Sequence, residues 1–170
     1  MNSEPANSRL PTAEAAPALR VLCLGNDLLG DDALGCVVAD RLLQSFASED
    51  VDIRSTAESG FHLLDYALGV RQLIVIDTVQ TGNAPAGTIY QFHDCELPTI
   101  PGGSPHYVGL CEAISLARKL RLPVAEEVII LAVEAADCFT MGAEMSSPVR
   151  SAVPTLVSMI RDMMPAVQSH

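Results

Sequence analysis

The stretch Val21-Leu-Cys-Leu-Gly-Asn-Asp-Leu-Leu-Gly-Asp-Asp-Ala-Leu-Gly-Cys-Val-Val-Ala-Asp-Arg-Leu-Leu43 decides the fold. The apolar run Leu19 to Leu24 predicts a buried strand, Gly25 and Asn26 break it, and Leu34, Val37, Val38, Leu42 and Leu43 then recur at helical spacing. This is a strand-loop-helix unit. Its hinge carries two adjacent carboxylates, Asp31 and Asp32: one can cap the helix by accepting a backbone N–H while the other projects from the carboxyl end of the strand. Acidic residues suit any helix N-terminus, so the first reading of the pair is a cap with a dipole partner. Gly25, Gly30 and Gly35 raise a nucleotide loop as the second, but their spacing is not G-x-G-x-x-G, no Gly-Lys-Ser/Thr is present, and two anions repel a phosphate. The third is a cation site on the edge where open α/β sheets bind ligands.

Working outward, Val51 to Thr56 alternates as a second strand and ends in the loop Glu58-Ser59-Gly60. Phe61, Leu64, Tyr66 and Leu68 mark a short helix closing at Gly69. Leu73-Ile-Val-Ile76 is continuously apolar and β-branched, as a central strand buried on both faces should be, and it runs straight into Asp77. An Asp there is by default a cap or turn former, yet it is also where a parallel sheet presents a catalytic or ligating carboxylate. Thr88 to Phe92 predicts a further strand, the candidate for an antiparallel exception. His93 and Glu96 have H-x-x-E spacing, but Pro98 and Pro101 follow and the pair cannot share a helical face. The Pro/Gly loop 97–106 leads into a helix with apolar Leu110, Ile114, Ala117 and Leu120, so His106 stands at a helix entrance directly after Pro105. A lone His there is a surface or capping residue by default; a ring held at the mouth of a cleft is also what metal ligation needs.

Val128 to Val133 is a second buried strand, 134–145 an irregular loop, and Ser147-Pro148 the opening of a last helix, with a Ser cap and Pro at the first position. That helix sets Val149, Val153, Leu156, Val157, Ile160 and Met164 on one side, and Pro154 predicts a kink. The alternation predicts an α/β three-layer sandwich, a mostly parallel sheet of about five strands flanked by helices. A single domain is expected over 19–165, between a disordered leader, 1–18, and a short tail, 166–170.

The chain has 170 residues, 49% of them hydrophobic, enough for a sizeable core. A formal charge of -11 argues against nucleic acid or an anionic membrane as partner and favours a cationic segment or a metal. The five cysteines are scattered and never paired as C-x-x-C, which predicts reduced core residues of a cytoplasmic protein. The leader lacks the apolar run of a signal peptide, and no run elsewhere is long enough to span a bilayer.

Asp32, Asp77 and His106, with the motifs around them, resemble the hydrogenase maturation endopeptidases, which trim the C-terminal extension from the large subunit of nickel-iron hydrogenases. The resemblance lies in Leu24 to Gly35, in Leu-Ile-Val-Ile-Asp (73–77) with Asn-Ala-Pro-Ala-Gly-Thr (83–88), in Ser-Pro-His-Tyr-Val-Gly-Leu (104–110), and in the later Val-Glu-Ala and Met-Ser-Ser-Pro-Val. These motifs run in order over about residues 20 to 163. Two departures are an Asp at 32 where some relatives have Glu, and Glu58-Ser59-Gly60-Phe61 where relatives often have Asp-Gly-Gly-Thr. By this resemblance Asp32, Asp77 and His106 are the catalytic and metal-contacting residues, and the partner is the large-subunit precursor. Nickel is then contacted in that precursor rather than held as a tightly bound metal of the protein's own. The residue types agree: two carboxylates and an imidazole suit a borderline divalent ion and leave positions open for groups from another molecule. Other protease machinery is missing from the sequence, with no His-Glu-x-x-His and no Gly-x-Ser-x-Gly. A metallopeptidase with its own zinc, a non-catalytic chaperone for the precursor, and a small-molecule enzyme of similar fold are the competing readings.

Overall fold

The computed structural model describes residues 17–46, 51–94, 106 and 109–164. The expected leader and tail lie almost wholly outside them. The strands are β1 (Leu19–Leu24), β2 (Val51–Thr56), β3 (Gln72–Val79), β4 (Ile89–His93) and β5 (Glu127–Glu134), with helices α1 (Leu34–Ser45), α2 (Leu64–Ala67), α3 (Leu110–Lys119) and α4 (Ser147–Met163). One five-stranded sheet has the order β2-β1-β3-β5-β4. β1 pairs in parallel with β2 and β3, β3 in parallel with β5, and β4 runs antiparallel to β5 at the edge. The expected three-layer α/β sandwich is what forms.

Side-chain alternation along β3 explains the layers. Ile74 and Ile76 join Val21, Cys23, Leu131 and Val133 under α1 and α4, where Leu34, Val38, Leu42, Val149, Val153 and Leu156 are buried. Leu73, Val75 and Val79 join Leu22, Leu24, Val128 and Ile130 under α2 and α3. The chain leaves β1 toward β2 on one side and reaches β5 from β3 on the other, so the connections diverge between β1 and β3. A crevice opens beyond the carboxyl ends of strands at such a point.

Glycine fixes the approach to this crevice. A Cβ on Gly35 would sit 2.0 Å from the Leu24 carbonyl oxygen, and one on Gly25, at φ +150°, would sit 2.1 Å from that of Asp32. The first turn of α1 therefore lies directly on the end of β1.

Four local expectations need correction. A 3-10 turn, Gly30–Ala33, precedes α1, and neither it nor α1 has a side-chain cap bond, so neither aspartate is a helix cap. α4 does begin at Ser147 with Pro in its first turn, but Ser146 is the N-cap residue and its side chain makes no cap bond; the Ser146 N–H is instead donated to Asp31 Oδ1 at 2.6 Å. Asp77 does not end its strand: β3 continues to Val79, and Asp77 pairs with Ala132 inside the ladder. Lastly, Cys23, Cys36 and Cys138 are free thiols as expected, but Cys111 is disulfide-bonded. A disulfide requires a second thiol brought to bonding distance by the fold, which spacing in the sequence does not reveal. Among the described residues no helix is long and apolar enough to cross a membrane.

Candidate functional site

Asp32, Asp77 and His106 converge. Each offers a ligand atom, and these atoms all lie within 4.8 Å of one another. Asp32 arrives on the turn after β1, Asp77 from β3 on the face turned toward α2 and α3, and His106 from the segment before α3. Asp77 is 0% exposed, Asp32 3% and His106 9%. Two ligands on opposite sides of one ion stand about 4.2 Å apart, twice a bond of about 2.1 Å. The trio is therefore close to the span of a single coordination sphere without rearrangement of the backbone.

Their hydrogen bonds set their orientation. Asp32 Oδ2 accepts the Asn26 N–H at 2.9 Å and meets His106 Nε2 at 3.1 Å, while Oδ1 accepts the Thr78 hydroxyl at 3.0 Å. Asp77 Oδ1 accepts the N–H of its neighbour Thr78 at 2.8 Å. On the far side of the imidazole, His106 Nδ1 faces the Glu58 carbonyl oxygen at 3.4 Å, and the His106 carbonyl accepts the Gly60 N–H at 3.1 Å. A proton on Nδ1, donated to that carbonyl, leaves the Nε2 lone pair for a cation; this is how ligating histidines are commonly oriented. The hydrogen bond to Asp32 raises the His106 pKa above its ordinary value, against an opposing effect of burial and with help from the charges of Asp77 and Asp32. With no cation present, Nε2 therefore tends to carry a proton shared with Asp32.

The roles of three supporting residues escaped the sequence reading. Asp31 is 1% exposed and accepts the N–H groups of Ala136, Asp137 and Ser146 at 2.7, 3.1 and 2.6 Å, clamping the loop after β5 onto the loop after β1. Glu134 closes β5 and accepts the N–H groups of Thr81 and Gly82, both at 2.8 Å, and the hydroxyls of Thr81 and Tyr90 at 2.7 and 3.0 Å. Burial alone would raise its pKa, but these donors lower it. Cys138, on the loop after β5, donates its thiol to Thr78 Oγ1 at 3.4 Å, and burial pushes its pKa up to about 12. All three depend on partners remote in sequence, so no local pattern could expose them. Of the H-x-x-E pair, His93 ends β4 and contacts Gln91, outside the trio, and Glu96 lies outside the described residues.

A model of the hydrogenase maturation protease family fits residues 36–163, three quarters of the chain. This chain belongs to the hydrogenase maturation proteases. It is thus a peptidase of hydrogenase maturation, and its relatives agree. The hydrogenase expression/formation protein HupD of Bradyrhizobium diazoefficiens is 28% identical over 149 residues, covering 85% of this chain and 76% of that protein. The hydrogenase 2 maturation protease of Escherichia coli is 32% identical over 101 residues, 58% of this chain and 62% of that protein. The fold is shared with the hydrogenase maturating endopeptidase HybD of Escherichia coli at a TM-score of 0.74 and 22% identity, covering 85% of this chain and 90% of that one. HybD of Thermococcus kodakarensis follows at 0.70 and 22%, covering 86% and 99%. Asp77 and His106 fall inside the span of the family model; Asp32 lies just before it, and is joined to the other two by geometry.

Proposed function

We propose that this maturation protease removes the C-terminal extension of a nickel-iron hydrogenase large-subunit precursor after nickel has been inserted, and that Asp32, Asp77 and His106 recognise the nickel carried by that substrate. The convergence of their ligand atoms within 4.8 Å carries the reading. Nickel accepts both imidazole nitrogen and carboxylate oxygen, and three protein ligands leave the remaining positions to thiolates of the precursor. The carboxylates of Asp32 and Asp77 offset the charge of the bound cation and supply a base for water at the scissile peptide. His106, oriented through Glu58, gives the site its one directional nitrogen ligand. The loops around the trio expose Leu28, Phe61, Phe139 and Met141, on which a polypeptide segment can rest while its metal faces the acids.

The test compares nickel-loaded and nickel-free precursor, with product mass measured after incubation with wild type, Asp77→Asn and His106→Ala. Cleavage of the loaded form alone, lost in both variants without unfolding, is expected. Equal cleavage of the nickel-free form would reject substrate-borne nickel as the signal, and stoichiometric zinc in the purified protein would favour a resident metal. A tight complex with no cleavage would point to a chaperone. Full activity of either variant would remove the site assignment.

A further inference from the structure

From the structure we infer that Thr78 is a positioning residue for the reaction: its hydroxyl holds one oxygen of Asp32 so that the other is presented to His106 and the incoming cation. The inference rests on the reading of the trio as cation ligands. Alternation along β3 puts residue 78 on the same face as Ile74 and Ile76, under α1 and α4, where the pattern asks for an apolar side chain. Thr78 is 1% exposed there. A buried hydroxyl among apolar neighbours is unfavourable unless it is hydrogen-bonded, and valine would fill the same volume without that penalty. Packing therefore does not account for a threonine at this position.

Its bonds do. Thr78 Oγ1 donates to Asp32 Oδ1 at 3.0 Å and accepts the Cys138 thiol at 3.4 Å. Because the thiol occupies the hydroxyl as an acceptor, the single hydroxyl proton remains directed at the carboxylate. A terminal carboxylate rotates over a broad torsional range when nothing holds it. Here Thr78 holds Oδ1, and the Asn26 N–H, at 2.9 Å from Oδ2, holds the other side. The plane of the carboxylate is fixed before any cation arrives. The same bond draws electron density to Oδ1 and keeps that oxygen from swinging into the place of Oδ2 opposite His106.

The test titrates Ni2+ alone into the full chain by calorimetry, for wild type, Thr78→Val, Thr78→Ser and Thr78→Ala, with folding of each confirmed by circular dichroism. Removal of a partner that orients a metal ligand weakens metal binding about 10- to 100-fold. Thr78→Val should show that loss, and processing of nickel-loaded precursor should fall in kcat/KM. Thr78→Ser keeps the hydroxyl and should match wild type in both readouts, a rescue that a purely structural role would not give. If valine perturbs the fold, Thr78→Ala lacks the same hydroxyl without added bulk and carries the same expectation. Wild-type affinity in a folded variant lacking the hydroxyl, or failure of serine alongside valine, would overturn the inference while leaving the trio intact. A wild-type chain that takes up no Ni2+ at millimolar concentration would remove the cation reading of the trio, and this inference with it.

Discussion

Asp31 and Asp32 are adjacent, chemically identical and both buried, yet their partners give them opposite uses. Among the described residues Asp31 faces only backbone donors: Ser146 on Oδ1, and Ala136 and Asp137 on Oδ2. An amide in its place can satisfy one side but turns its own N–H groups on the other. Asp31→Asn should lower unfolding stability by about 2 kcal/mol, read as a fall in the urea midpoint at unchanged slope. Asp32 meets a hydroxyl on Oδ1, whose second lone pair can accept from an amide there beside the Cys138 thiol, while an amide oxygen still receives Asn26. Asp32→Asn should therefore change stability by less than about 1 kcal/mol while abolishing processing. The reverse ranking of the two variants would exchange these roles. The clamp made by Asp31 was hidden in the sequence, because its donors lie 105, 106 and 115 residues further along the chain. Acids beside a predicted helix start suggested a cap, and tertiary contacts overrode that local reading.

His106 adds a pH dependence at the same scale. Its folded pKa is raised, first by the hydrogen bond to Asp32. The stability this bond contributes is fully present below the ordinary histidine value of 6.5 and is lost as pH rises through the higher folded value. Nε2 takes either a proton or a cation, so Ni2+ affinity should move the opposite way, rising with pH and levelling once His106 is neutral. Calorimetric titrations across pH on wild type and His106→Gln measure this. Retention of the pH step in His106→Gln would assign it to another group.

At the scale of elements, the site depends on how closely α1 approaches β1. The Cβ that Gly35→Ala adds would lie 2.0 Å from backbone, which does not yield as a flexible side chain does. The helix and the Asp32 turn before it must then move together. A loss of about 1–3 kcal/mol from overpacking is expected, together with a loss of Ni2+ uptake, because Asp32 is displaced from His106. Stability lost with metal uptake intact would show that the turn adjusts independently of the helix. The elements themselves were legible because two signals agreed: apolar runs at β1, β3 and β5, and helical periodicity at α1, α3 and α4. The pattern was least reliable in last turns, where Leu43 and Leu120 continue the apolar period but are exposed. Part of the convergence was legible for a topological reason, since Asp32 and Asp77 belong to the carboxyl ends of neighbouring parallel strands; His106 follows antiparallel β4, so the same rule does not place it.

The whole molecule combines a formal charge of -11 with an acidic trio and an apolar margin. The parallel order of β1, β2 and β5 brings the loops after them to one edge. The loop bearing Leu28 is joined to that bearing Phe139 and Met141 by the Leu29–Met141 bridge and the bond from Gly142 N–H to the Leu28 carbonyl. Phe61, also exposed, follows Gly60, whose N–H binds the His106 carbonyl. A substrate that presents a cation between apolar side chains meets both properties of this surface, whereas a free ion uses only the acids. Replacing Phe61, Phe139 and Met141 together by serine should leave Ni2+ affinity and kcat unchanged and raise KM for the precursor. With roughly 1.5 kcal/mol of burial lost at each contacted side chain, an increase of at least about tenfold is expected. Leu43→Ser and Leu116→Ser alter exposed apolar residues away from this edge and should leave KM as in wild type. A triple variant with wild-type KM would place the docking surface elsewhere, and a change in its sedimentation rather than its KM would identify the margin as a contact between copies of this chain.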